Sequence, residues 1–217
     1  MKIIKIFVLI LLSSHLISAC SDEKETRAIS GVVNFVLGEV KVNDRPVSTG
    51  DYLFYGDILK TGNSSACEFK VGNQNIFRIR SNTKATLYFI KIKNEARIEL
   101  ETGSLAAVVK NKKVWGKDLI INTPLLTAGV RGTSFFTRVE NPQSTYFCTC
   151  NGTIHLKDKN GENSKKITFA HHGAVRYFFG EKGIHTEQAK LLYHNDRDME
   201  ELAGKIDVII DWNKPSK

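Results

Sequence analysis

From Ile29 to about Phe179 apolar and polar residues alternate with a period of two, in short runs separated by turn signals. Cys67, Phe69 and Val71 share one phase while Glu68 and Lys70 occupy the other. Phe77 and Ile79 interleave with Arg78 and Arg80, and Ile98 and Leu100 with Arg97, Glu99 and Glu101. That period places one phase on a buried face of a strand. The runs are punctuated by Leu37-Gly38, Asn43-Asp44, Gly50-Asp51, Gly56-Asp57, Gly62-Asn63 and Gly72-Asn73. These residue types accept positive φ or hydrogen-bond their own backbone, so they mark turns. Short strands at this spacing, with no amphipathic helix between them, predict an all-β sandwich or barrel. The period changes near the end. In "HNDRDMEELAGKI", Asn195 is the expected N-cap, Asp196 and Asp198 lie in the first turn, and Lys205 lies near the finish, which complements the helix dipole. Met199, Leu202, Ala203 and Ile206 form its apolar stripe. A second, shorter helical segment is expected over Thr186 to Tyr193.

The N-terminus has a different pattern. Lys2 and Lys5 precede the unbroken apolar run Ile6 to Leu12, and small residues follow. This is the layout of a secretory signal peptide, with an apolar run too short to span a bilayer. Ile17-Ser18-Ala19-Cys20 resembles the bacterial lipobox, which implies that Cys20 is acylated (palmitate or a similar chain) and becomes the mature N-terminus. Several acyl chains would anchor the protein stably at a membrane surface. Ser21 after that cysteine leans toward the outer membrane rather than the inner. "SDEKETR" reads as a tether between lipid and fold.

Formal net charge is +8 over 217 residues, and Lys2 and Lys5 of the leader carry two of those charges. The remaining cations are spread among acids, with one dense cluster at Lys110 to Lys117 that reads as an exposed hairpin loop. Nucleic acid is therefore not expected as a partner. Catalytic signatures are absent: there is no Gly-x-Ser-x-Gly, His-Glu-x-x-His or Walker loop. No enzymatic activity is expected.

An ordered set of motifs does stand out. It comprises Gly31-Val32-Val33, Gly50-Asp51, Gly56-Asp57, Thr61-Gly62-Asn63-Ser64-Ser65 and Leu100-Glu101-Thr102-Gly103-Ser104-Leu105. Thr123-Pro124, Val130-Arg131-Gly132-Thr133 and Asn151-Gly152 complete it. In this order they resemble the FecR domain, over roughly Gly31 to Leu156. The resemblance implies a β-sandwich of jelly-roll type. In the family's regulators the domain is periplasmic and joined through a membrane helix to a segment controlling a sigma factor. This chain has no such span, so sigma-factor control is not carried over, and an extracytoplasmic binding or scaffolding module is expected instead. Its partner would be an envelope protein or polymer. Arg131 is expected to make a structural turn contact, with a ligand role as the alternative, and the resemblance places Asn151-Gly152 in a turn between strands.

Three cysteines follow Cys20, an odd number that excludes a complete disulfide framework. Cys67 shares its strand face with Phe69 and Val71 and is expected to pack as a small hydrophobe. Cys148 and Cys150, in "CTCNG", are two apart, so both point to one face with Cα atoms about 6.7 Å apart, at the upper limit for a disulfide. Same-face thiols are also half of a tetrahedral metal site, for which zinc is the first choice. His171 and His172 end the run Lys166 to Ala170, and only one of two adjacent strand residues can face a given site. The phase of Ile167 and Phe169 nominates His171, and His194 is a fourth ligand if the C-terminal helix folds back. A subset of FecR-domain proteins is similar here too, with Cys-x-Cys-x-Gly, then His-His-x-Ala-x-Arg, then His-x-Asp leading into a helix. Core packing, an incidental disulfide and a metal or redox site all remain open readings at this level. His155 and His185 read as surface residues.

The expected organisation is a lipoprotein signal peptide at 1–19, a lipidated tether at 20–28, a FecR-like β domain at 29–158, and a C-terminal β extension and helix at 159–217.

Overall fold

The computed structural model describes residues 29–90, 95–110 and 118–216. The expected signal peptide and tether, and most of the lysine-rich cluster, lie outside those residues.

Among the described residues, fifteen strands and one helix follow each other in chain order. The strands are β1 (Ile29–Leu37), β2 (Val40–Val42), β3 (Arg45–Pro46), β4 (Tyr52–Phe54), β5 (Ile58–Thr61), β6 (Ala66–Lys70), β7 (Asn75–Ile79) and β8 (Lys84–Ile90). After them come β9 (Glu95–Val109), β10 (Leu119–Asn122), β11 (Leu126–Asn141), β12 (Ser144–Asp158), β13 (Ser164–Phe169), β14 (Gly173–Gly180) and β15 (Gly183–Ala189). The helix α1 is Asp196–Gly204. The fold is all-β, as the alternation predicts. Its domain has β1 and β4 in the same sheet and core as the later strands.

Three long strands organise this sheet by changing partners midway. The first half of β9 pairs with β8, and the second half with β7 and β11. One edge of β11 stays on β12 throughout, while its other edge pairs with β10 in the first half and with β9 in the second. The first half of β12 pairs with β14, and the second half with β13. Strands that switch sheets do so at bulges or glycines in positive φ, where the chain can turn a corner. Here those residues are Gly103 (φ 81°), Gly132 (φ 58°) and Gly152 (φ 125°). The Gly103, Gly132 and Gly152 motifs of the sequence are thus corners inside continuous strands. Asn151-Gly152 in particular is not the turn expected of it, because β12 runs unbroken through both residues. Arg131 is exposed beside its corner.

Two layers result, and the main core lies between them, with Phe77 of β7 against Phe89 of β8 at 5.5 Å and Phe69 stacked on Phe77 at 5.0 Å. At the β9 corner, a Cβ on Gly103 would lie 2.2 Å from Thr83 Oγ1 and 2.5 Å from Thr83 Cα. Gly103→Ala is therefore expected to cost about 2–4 kcal/mol, from left-handed strain plus overpacking. Denaturant unfolding of the variant measures this, and an unchanged midpoint would contradict the corner's role.

A second core lies on the outer side of one layer. Ile76, Ala106, Val108, Phe136, Tyr146, Cys148 and Cys150 meet Met199, Leu202, Ala203 and Ile206 there. α1 begins as expected, with Asn195 in a capping box with Asp198. The layer it covers is buried on both faces, which explains unbroken apolar runs such as Leu105-Ala106-Ala107-Val108-Val109. The helix expected over Thr186 to Tyr193 is absent. Gly183–Ala189 instead forms β15, paired with β14 in a hairpin closed at Gly180 and Gly183. That pairing satisfies the backbone groups a lone helical turn would leave open.

Candidate metal centre

Alternation along the first half of β12 sends Tyr146, Cys148 and Cys150 to the second core while Phe147 enters the main one, and past the Gly152 corner the phase changes so that Ile154 enters the main core as well. Both cysteines are fully buried, and their sulfurs are 4.0 Å apart. A disulfide needs about 2.05 Å, and both thiols are free.

The histidine pair sits differently from its phase. β13 ends at Phe169, and residues 170–172 form a bend in which His172 takes φ 38°. The His172 N–H donates to the Cys150 carbonyl at 2.9 Å, holding the bend against β12. His172 then turns inward, with its side chain only 6% exposed, Nδ1 3.6 Å from Cys148 Sγ and Nε2 2.8 Å from Asp196 Oδ1. His171, nominated by the strand phase, faces outward. Its side chain is half exposed, with Nε2 3.0 Å from both Asp196 oxygens and the ring against Trp212. The alternation fails because the strand stops two residues before the pair.

His194 comes from the segment just before α1. Its ring stacks on Phe136 at 4.5 Å, and Nε2 lies 3.2 Å from Cys150 Sγ. Its Nδ1 is 2.9 Å from the Leu192 carbonyl. Tyr193, in left-handed conformation at φ 68°, precedes it, and the Asn195 cap follows. The helix start and the inward imidazole are therefore set by the same few residues. One ligand atom from each of Cys148, Cys150, His172 and His194 lies within 4.8 Å of all the others. His155 and His185 are exposed, as read from the sequence.

The electrostatics follow from this packing. The neighbouring Cys150 thiol, against the effect of burial, lowers the Cys148 thiol well below its usual range, and His172 and His194 assist. Burial raises Cys150 well above it, with the Cys148 charge adding. Burial opposes a charge on His172, but Cys148 and Asp196 outweigh it and raise its pKa. Asp196 is lowered chiefly by its hydrogen bond from His171. Cys67 lies apart in the main core, where burial pushes its thiol up to about 12.

The sequence did not single out Asn151 or Trp212 as parts of this site, and Asp196 entered only as the acid of the His-x-Asp element that the resemblance supplied. Trp212 stacks over His172 at 5.1 Å and donates to Glu200 at 2.7 Å, closing the site from outside. The Asn151 amide nitrogen lies 2.8–2.9 Å from the carbonyls of Ala170, Asp211 and Lys214, and its oxygen accepts from Ser216 N–H. Asn151 thereby ties the last residues to the sheet beside Cys150. The only signal in the sequence was its place next to the cysteine pair.

Chemically, a buried pair of thiols can pack, exchange disulfides or bind metal. Exchange requires a partner thiol to reach a sulfur, and both sulfurs are sealed. A separate groove of about 610 Å³ opens where β13 and β14 diverge from β12, with Ile167 and Tyr177 beneath Glu162, Lys165 and Glu187.

Residues 57–155 match the family profile described as FecR protein. No curated protein matches the chain. Among solved structures, two similar chains are crystal structures of candidate anti-sigma factors from Parabacteroides distasonis. One is 12% identical, with a TM-score of 0.51 over 71% of this chain and 80% of its own. The other is 12% identical, with a TM-score of 0.48 over 61% of this chain, which spans 60% of that protein's length. At these identities the likeness is one of fold.

Proposed function

With a FecR domain at residues 57–155 as the premise, we propose that this protein is a non-enzymatic regulatory or binding module of the cell envelope, lipid-anchored through Cys20. The carrying observation is the pairing of that domain with a leader ending in Ile17-Ser18-Ala19-Cys20. No helix among the described residues is long and apolar enough to cross a membrane, so an acyl anchor supplies the membrane attachment in this reading. Two chains of similar fold are described as candidate anti-sigma factors, which accords with a regulatory role for the module. The groove between β13 and β14, apolar at its floor and charged at its rim, is the surface on which this reading places an envelope protein or polymer. In this reading Ser21, the residue after Cys20, favours the outer membrane over the inner.

Cys20→Ala tests the anchor. Wild-type protein expressed in a bacterial host is expected in the membrane fraction and labelled by an alkynyl palmitate analogue. The variant is expected to be unlabelled and to lose most of its membrane association. Continued partitioning of the variant with the membrane would overturn the anchor.

A further inference from the structure

We propose that Cys148, Cys150, His172 and His194 bind one zinc ion, a structural centre that clasps the C-terminal segment onto the outer face of the sheet. The proposal concerns a different part of the chain from the lipid anchor and does not depend on it.

The donor set is two thiols and two imidazoles, the combination a tetrahedral zinc site uses. With Zn–S near 2.3 Å and Zn–N near 2.0 Å, a tetrahedron has edges of roughly 3.3–3.8 Å between ligand atoms. Three of the six edges here are 4.0 Å between the sulfurs, 3.6 Å from Cys148 to His172 and 3.2 Å from Cys150 to His194, and the other three are no longer than 4.8 Å. Small side-chain adjustments close the difference. Two thiolates also neutralise the ion's charge, as a buried site requires.

The outer contacts carry the argument further. A ligating imidazole must present one nitrogen as a lone pair and place the other N–H on an acceptor. His172 turns Nδ1 to the sulfurs and Nε2 to Asp196, a carboxylate. His194 turns Nε2 to the sulfurs and Nδ1 to the Leu192 carbonyl. These partners assign each ring the tautomer that a ligand needs. Core packing alone has no need of two imidazoles so oriented around two buried thiols.

Four protein ligands and a Trp212 lid leave no open position for a substrate, which makes the centre structural rather than catalytic. The ligands come from β12, the bend before β14 and the segment before α1. His172 and His194 lie 24 and 44 residues beyond their cysteine partners, so the ion would close long loops at the point where α1 begins. Zinc is redox-inert, so in an oxidising compartment it would also hold the thiols against disulfide formation.

Chain purified from zinc-supplemented cells without chelator, and analysed by elemental mass spectrometry, is expected to carry about one zinc per chain. Cobalt(II) bound in its place is expected to show intense tetrahedral d–d bands and a thiolate charge-transfer band. Chelator is expected to strip the metal and lower the melting temperature, and added Zn²⁺ to restore it. His172→Ala is expected to lose most of the metal, while His171→Ala keeps it. Because loss of a ligand can also impair folding, the wild-type chelation result stands on its own. Absence of stoichiometric metal with a melting temperature indifferent to chelator and Zn²⁺ would overturn the proposal. So would an octahedral cobalt spectrum, or equal loss of metal in His171→Ala and His172→Ala. None of these outcomes bears on membrane partitioning, so this site and the anchor fail separately.

Discussion

A chain ended after His194 is expected to lose its cooperative native state and to bind a hydrophobic dye. The truncation keeps Cys148, Cys150, His172 and His194 but removes α1 and the residues after it. Met199, Leu202, Ile206 and Ile210 are at most 6% exposed and lie on Ile76, Val108, Phe136 and Tyr146. At about 1.5–3 kcal/mol for each large side chain, the lost burial is roughly 6–12 kcal/mol as an upper bound. That is comparable with the whole stability of a typical domain, about 5–15 kcal/mol. The face left behind would be a contiguous apolar patch, which promotes association. Dye fluorescence, sedimentation and thermal unfolding measure the effect. A soluble monomer melting within a few degrees of the full chain would show that the second core contributes little.

Glu68→Ala is expected to cost about 3–5 kcal/mol, the range for breaking a buried ion pair from one side. Glu68 is 2% exposed and accepts from Arg78 Nε at 2.8 Å and Lys205 Nζ at 2.6 Å. Arg78, itself 11% exposed, would be left with its 3.3 Å bond to the Asp198 carbonyl, while Lys205 can reach water. At about 2–4 °C per kcal/mol for a domain of this size, the melting temperature should fall by roughly 6–20 °C. The double variant Glu68→Met, Arg78→Met removes both charges and should recover much of the loss. If Glu68→Ala melts like wild type, the pair is solvated and does not fasten α1 to the sheet.

The same residue shows how far the alternation reaches. The period of two correctly separates Glu68 from Cys67 and Phe69, and both apolar neighbours enter the main core. It cannot say that the opposite phase is also covered, because that depends on α1, which lies more than a hundred residues later. Arg80 is comparable: it meets Asp198 at 2.6 Å on what reads as a polar face. The run Leu105 to Val109 did carry a trace of this second burial, since a strand with one solvated face has no use for five apolar residues in succession.

Local chemistry settled a good deal in advance. Strand alternation, the Asn195 cap, the apolar stripe of α1 and the same-face placement of Cys148 and Cys150 all depend on residues within a few positions of each other. The glycine motifs were legible as special positions, although only the pairing pattern shows that Gly103, Gly132 and Gly152 let long strands turn between layers. Tertiary structure decided the rest. It turned Thr186 to Ala189 into a paired strand, because β14 offers a hydrogen-bonding edge. It also chose His172 over His171, because β13 ends at Phe169 and a left-handed residue reverses the phase. The convergence of His194 on Cys150 from 44 residues away rests on the burial of α1 against the sheet, and no local pattern encodes a distance of that kind.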